Sequence, residues 1–523
     1  MTRWLVLTAF TAALGLVALV RTTPAADTEK ASLRADALDL LVLGDEPVRL
    51  EIRVEIDGKS VPAVWDETFA RMLAFCDLNG DGILDKAEAG RLPSAFALRQ
   101  VLWGQIVPQS GISPAFADLD PNADGKVNSE ELADYYRRAG LGGVLVGIGK
   151  PTATERLTDA LLKHLDTNKD GKVDEAEWKA APTSLRKLDE NGDELVGPGE
   201  LVQRTVYPGA TGAVFCPAPS PTGKSDPATD AVPLIVLPLR TADTHWISAV
   251  ADRRQKAKAI AIESDALIAL RQGDPAAAWN VNLGTRNEGV VLLRAVGGKP
   301  PANARLSLST GGVRLELRAD EGKLKEQTAA ARKRFTALFA ECDADADGII
   351  DENELGTPKA ELFEQMAATA DRDGDGKLTQ KEFAAWLDLQ EQIAKGHVLL
   401  SVLDHGSGLF EFLDADHDGS LSVRELRAAW SRLNEAGCMS EKNFDREKLP
   451  RQFLAAVSHG HPRTTIGKPV RIGPAWFLAM DRNGDGDVSM KEWVGDPDLF
   501  RKFDADGDGS ISAPEAEKAP TAK

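Results

Sequence analysis

The chain has 523 residues, with 81 acidic against 62 basic side chains and a formal net charge of −19. That is enough chain for several domains rather than one. So acidic a balance argues against nucleic acid as a partner, because phosphate contacts need a basic face.

Arg3 precedes an uncharged run from Trp4 to Val20, and Arg21-Thr22-Thr23-Pro24-Ala25-Ala26 follows. A basic start, an apolar stretch and small residues for cleavage form the pattern of a secretory signal. Residues 1–25 are therefore expected to be removed, leaving a mature chain exported to the periplasm, envelope or exterior. The alternative is an uncleaved anchor, which a run this short only just permits. No later segment is apolar enough to span a membrane. Of the four cysteines, Cys76 and Cys342 each directly precede an Asp at the end of an apolar periodic run, where a buried small hydrophobe is expected; Cys216 and Cys438 leave a disulfide open.

Leu38–Leu43 and Val48–Ile56 flank Gly44-Asp45-Glu46-Pro47 and predict a β-hairpin. Trp65, Phe69, Met72, Leu73 and Cys76 then recur at helical spacing. This helix feeds a twelve-residue segment, Asp77 to Glu88. Asp77, Asn79, Asp81 and Glu88 stand at positions 1, 3, 5 and 12, Gly82 at position 6, and aliphatic Leu84 at position 8. Position 7, Ile83, would offer only its backbone carbonyl.

The pattern returns eight times, and the segments are numbered loops 1 to 9 in chain order. Loop 2 carries Asp120, Asn122, Asp124, Lys126 and Glu131; loop 3 carries Asp166, Asn168, Asp170, Lys172 and Glu177. Loop 4 carries Asp189, Asn191, Asp193 and Glu200; loop 5, Asp343, Asp345, Asp347, Ile349 and Glu354; loop 6, Asp371, Asp373, Asp375, Lys377 and Glu382. Loop 7 carries Asp414, Asp416, Asp418, Ser420 and Glu425; loop 8, Asp481, Asn483, Asp485, Asp487 and Glu492; loop 9, Asp504, Asp506, Asp508, Ser510 and Glu515. Alternate carboxylates closed by a terminal Glu suit Ca²⁺, a large, hard ion that takes six to eight oxygens. Glycine at position 6 makes the required turn without a β-carbon penalty. Loop 4 departs, with Glu194 at position 6, and is expected to be weak or empty. Loops 1–4 have Asn at position 3 whereas four of the later five have Asp, so the second half is expected to bind more tightly.

These loops resemble the EF-hand family over roughly residues 60–205 and 325–518, and the whole resembles large bacterial secreted multi-EF-hand proteins. The resemblance implies calcium as the bound ion. Dockerins, which plug into cohesins, also carry two calcium loops about 23 residues apart, as loops 3–4 and 8–9 are. Their loops typically end in Asp, however, whereas position 12 here is Glu in all nine and helices precede the loops.

Val48-Arg49-Leu50-Glu51-Ile52-Arg53 matches Val313-Arg314-Leu315-Glu316-Leu317-Arg318. The segment from Asp166 through Trp178 to Asp189 matches the one from Asp481 through Trp493 to Asp504. A duplicated α+β architecture follows: a hairpin plus four-loop lobe over 36–205, a Pro-rich linker over 206–230, a central β-rich domain over 231–320, and a five-loop lobe over 321–518. The two Trp residues are expected in cores. Nine being odd, one loop is expected to lack an intramolecular mate or to use the central domain.

Catalytic motifs are not found. Gly223-Lys224-Ser225 lacks the earlier glycine of a phosphate loop, and His405-Gly406-Ser407-Gly408 is no nucleophile elbow. His459-Gly460-His461 reads as surface. Three functions stay open: an exported calcium-binding protein with structural ions and other envelope or extracellular proteins as partners; a calcium sensor, disfavoured by only six Met; and a ligand-binding or enzymatic central domain.

Overall fold

A computed structural model of the chain describes residues 37–43, 47–102, 104–106, 113–205, 234–237, 264–284, 291–295, 305–310, 312–358, 360–462 and 471–519. The expected signal at 1–25, the whole Pro-rich linker 206–230 and Cys216 lie outside the described residues. The fold mixes helices with strands, as an α+β chain should.

In chain order the strands are β1 (Ala37–Val42), β2 (Val48–Ile56), β3 (Lys59–Ser60), β4 (Val144–Gly149), β5 (Leu234–Leu237), β6 (Ala277–Leu283), β7 (Val291–Ala295), β8 (Arg305–Thr310) and β9 (Val313–Asp320). Then come β10 (Ile349–Ile350), β11 (Leu378–Thr379), β12 (Val398–Gly406), β13 (Met439–Ser440), β14 (Asn443–Phe444), β15 (Arg451–Ser458), β16 (Asp487–Ser489) and β17 (Ser510–Ser512).

Two sheets dominate. The first runs β5-β1-β2-β6-β7 with β3 on β2; β1 and β2 form an antiparallel hairpin, and β2 lies parallel to β6. The second runs β4-β12-β15-β9-β8, with β4–β12 and β15–β9 parallel. Alternation decides which face of β2 and β9 meets the other sheet. Leu50, Ile52 and Val54 on β2 and Val313, Leu315 and Leu317 on β9 join one apolar core. Val398, Leu400 and Val402 of β12 and Phe453, Ala455 and Val457 of β15 complete it. On the other face of β2, Arg49 and Glu51 are buried, and Arg49 donates to Asp39 Oδ1 at 3.0 Å.

The β region is thus wider than the 231–320 expected from sequence. Its second sheet recruits β4, β12 and β15 from within the two presumed lobes, because these near-continuous apolar runs (Val398–Leu403, Phe453–Val457) are buried and need partners. The helix Ser264–Gln272 lies within the segment expected to be β-rich.

The helices do not segregate into an N-terminal and a C-terminal lobe either. Loops 1, 2, 5 and 6 surround one core, built on Phe69 and Met72 of helix Val61–Cys76, Phe335 and Phe339 of Leu324–Cys342, and Trp386 and Ile393 of Gln380–Lys395. Loops 3, 4 and 7 surround a second, with Trp178, Phe410 and Leu433. Loops 8 and 9 keep a small third core of Phe477, Val488, Phe500 and Ile511, against which Trp493 is packed. Cys76, Cys342 and Cys438 are buried free thiols; burial pushes the Cys76 thiol up to about 12. His459, expected at the surface, is buried with His397 beside it, because Gly322–Leu324 packs against its backbone.

Candidate calcium loops

Each loop is assembled by local hydrogen bonds that its sequence dictates. The carboxylate at position 1 accepts the amide of position 6: Gly82 to Asp77 at 2.9 Å, Gly348 to Asp343 at 3.0 Å, Gly419 to Asp414 at 3.0 Å. The position-12 glutamate reaches back twice. In loop 1, Glu88 accepts from Leu78 N and from Asp85 N, both at 2.9 Å. Asp85, at position 9, in turn caps the exit helix, so the closing glutamate is also the third residue of a capping box. The same box recurs at Asn128–Glu131, Asp174–Glu177, Asp351–Glu354, Thr379–Glu382 and Ser422–Glu425.

Position 6 has positive φ throughout, from 79° at Gly171 to 90° at Gly419, and Glu194 adopts 68° there. The β-carbon costs loop 4 roughly 1–2 kcal/mol, yet Glu194 N still donates to Asp189 Oδ2 at 3.0 Å. Its carboxylate is used instead for contacts, accepting from Arg186 Nη2 at 3.3 Å and from Ser489 Oγ of loop 8. Position 4 makes a second left-handed turn that sequence reasoning overlooked. It is glycine at Gly80, Gly192, Gly374, Gly484 and Gly507, but Ala123, Lys169, Ala346 and His417 adopt φ of 57–62°.

Three carboxylates offer atoms within 4.8 Å of one another in loop 5 (Asp343, Asp345, Glu354), loop 6 (Asp371, Asp373, Glu382), loop 7 (Asp414, Asp416, Glu425) and loop 9 (Asp504, Asp506, Glu515). In loops 2, 3, 4 and 8 the Asn at position 3 lends an amide to the position-5 carboxylate, as Asn122 Nδ2 does to Asp124 at 3.2 Å and Asn191 Nδ2 to Asp193 at 2.9 Å. Such all-oxygen donor sets fit Ca²⁺ and suit no soft metal.

The electrostatics call for a cation. Burial, then repulsion from Glu425, Asp418 and Asp416, pushes the Asp414 carboxyl well above its ordinary range; burial and Asp416 push Glu425 up to about 7. Burial, Glu492 and Asp481 likewise raise Asp485 to about 7. A divalent ion would remove that crowding.

Position 8 joins loops into pairs, three of sequence neighbours and one not. Leu84 bridges Val127 (loops 1 and 2), Ile350 pairs with Leu378 (5 and 6), and Val488 with Ile511 (8 and 9). Val196 of loop 4, however, bridges Leu421 of loop 7, with both N–H···O bonds at 3.0 Å. Among the described residues loop 3 forms no such bridge with any of the other eight: Asp174 bridges Asn443.

Arginines on the exit helix of loop 7 (Val423–Glu435) tie this group to loops 8 and 9. Arg424 donates to Gly486 O at 2.9 Å and pairs with Asp487, and Arg427 donates to Asp508 at 2.8 Å. His417, at position 4 of loop 7, meets Glu316 of β9 at 3.1 Å. None of these contacts could be read from sequence, because they join segments distant in the chain.

Five segments, residues 158–181, 368–387, 407–430, 475–494 and 498–515, match the EF hand family. The calcium-binding protein CP1 of Arabidopsis thaliana is 29% identical over 103 residues, covering 20% of this chain and 58% of that protein, a little over half its length. No solved structure matches the chain. These matches fall on loops 3, 6, 7, 8 and 9, which are similar to EF hands, and the chain binds calcium.

Proposed function

We propose that the chain is an exported calcium-binding protein whose ions are mainly structural, holding together a scaffold for contacts with other envelope or extracellular proteins. The ligands in each loop are the side chains at positions 1, 3, 5 and 12 named above, with the carbonyl of position 7. Loop 7 carries the reading best. Its Asp414 is 2% and Glu425 7% exposed, so without an ion the loop would bury crowded charge that only a bound cation relieves. Export rests on the basic start and the uncharged run Trp4–Val20; among the described residues no helix is long and apolar enough to cross a membrane. A duplicated origin is supported by the parallel pairs β2–β6 and β9–β15, in which each hairpin's inner strand receives a later strand at its side. No enzymatic activity is proposed.

The test is a pair of thermal melts followed by circular dichroism, one in excess chelator and one in millimolar Ca²⁺. A ligand that binds only the folded state raises its stability, so structural ions predict a melting point raised by about 10 °C or more, on the order of several kcal/mol. A melting point that calcium barely moves would sink the structural role.

A further inference from the structure

Loop 3 does have a mate, and it is not one of the nine. Phe444 N donates to Val173 O at 3.0 Å, with Asp174 bridging Asn443. Val173 is position 8 of loop 3. Counting twelve residues from Gly437 puts Phe444 at position 8 too, and Gly437 lies 23 residues after Asp414, the interval that separates Asp166 from Asp189 and Asp481 from Asp504. Further marks agree. Lys442, at position 6, has φ of 68°. Asp445, at position 9, caps the short helix Arg446–Lys448 by accepting Glu447 N at 3.1 Å. The helix Val423–Glu435 leaves loop 7 and enters this unit, just as Glu175–Leu185 leaves loop 3 and enters loop 4; the two helices pack together.

Of the four side-chain ligand positions only the fifth keeps a carboxylate, Glu441. Positions 1 and 3 are Gly437 and Met439, and position 12 is Lys448. The Lys448 ammonium donates to Met439 O at 2.9 Å, spanning the loop where a glutamate and an ion would close it. Phe444 packs edge-on against Trp178, with centroids 5.8 Å apart, and Cys438 is fully buried.

We propose that residues 437–448 are a tenth EF-hand unit that has replaced its ion with the Lys448 ammonium, and that loops 3, 4, 7 and this unit have exchanged partners. Loop 3 then binds calcium beside a mate that never loads. Loops 4 and 7, over 200 residues apart in sequence, load as one coupled pair that clasps two distant parts of the chain, loop 4 against the sequence expectation because its Glu194 amide still closes the turn onto Asp189. This rests on the calcium reading above.

Ion counting by equilibrium dialysis on the full mature chain tests it, at a free calcium just saturating for the wild type. Glu425→Gln is expected to release two ions, from loops 7 and 4, and Glu177→Gln one. Release of one ion by Glu425→Gln, or of two by Glu177→Gln, overturns the exchange. A wild type holding no ions would overturn the calcium reading itself, a different result from ions lost along sequence neighbours. Lys448→Met is the second measurement. It should lower the melting point equally in calcium and in chelator, and a loss confined to calcium overturns the ion-free assignment.

Discussion

Loops 6 and 7 present the same acidic set, Asp at positions 1, 3 and 5, glycine at 6 and Glu at 12, yet the fold gives them opposite electrostatics. In loop 6 the burial of Glu382 works against its charge, but the Thr379 hydroxyl and amide and the amides of Arg372 and Asp373 outweigh it and hold the carboxyl below its ordinary value. In loop 7 burial wins, and Glu425 is pushed up to about 7. Loop 6 sits on the rim of its core, while loop 7 is packed between loop 4, β9 and the loop 8–9 pair. The motif specifies chelation; the surroundings set what an unloaded loop costs.

Neutralising the closing glutamate should expose that difference most. Glu425→Gln in saturating calcium is expected to cost about 3–5 kcal/mol, the scale for leaving buried charge uncompensated, whereas Glu382→Gln should cost about 1 kcal/mol, the scale of a lost hydrogen bond. Urea melts of the two variants decide it, and equal losses would break the contrast.

Acid offers a perturbation outside the loops. Burial, then the neighbouring His459, pushes His397 down to about 3, and burial pushes His459 down to about 4. With folded values below the ordinary 6.5, the unfolded chain takes up protons first. Stability should therefore be full above pH 6.5 and decline towards pH 4 and below, by up to about 5 kcal/mol for His397 and about 3 kcal/mol for His459. In His397→Gln/His459→Gln the slope of stability against pH should flatten over that window, at any calcium level that saturates the wild type.

Smaller effects refine the picture. His417→Ala removes the contact between loop 7 and Glu316 and should cost about 1 kcal/mol, read as a lower melting point with no matching change for Ala346→Gly in loop 5. Arg427→Ala should stay within about 0.5 kcal/mol, since its pair with Asp508 is half-exposed. A larger loss there would mean that the loop 8–9 pair is docked more firmly than its surface contacts indicate.

The loops were legible because twelve consecutive residues carry the whole ligand code and its turn. So was the β1–β2 hairpin, announced by two apolar runs around Gly44-Asp45-Glu46-Pro47. Partner choice was not legible, since every loop offers a similar aliphatic residue at position 8 and nothing in Val196 points to Leu421 rather than Val173. Strands β4 and β12 were missed for a related reason. They are parallel, so no tight turn announces them, and Val144–Gly149 looks like an apolar link between helices. The unit at Gly437 escaped because its ligands, the signal being read, are the part it has lost.

The strand order also sets a timetable. β15, the middle strand of the second sheet, separates β12 from β9, and β4 touches that sheet only through β12. A chain made from its N-terminus therefore holds β4 without a partner until some 250 residues later. Contacts so distant in sequence make for slow folding and leave apolar strands exposed meanwhile. The second sheet closes only after residue 458 is made, more than 150 residues after the last strand of the first.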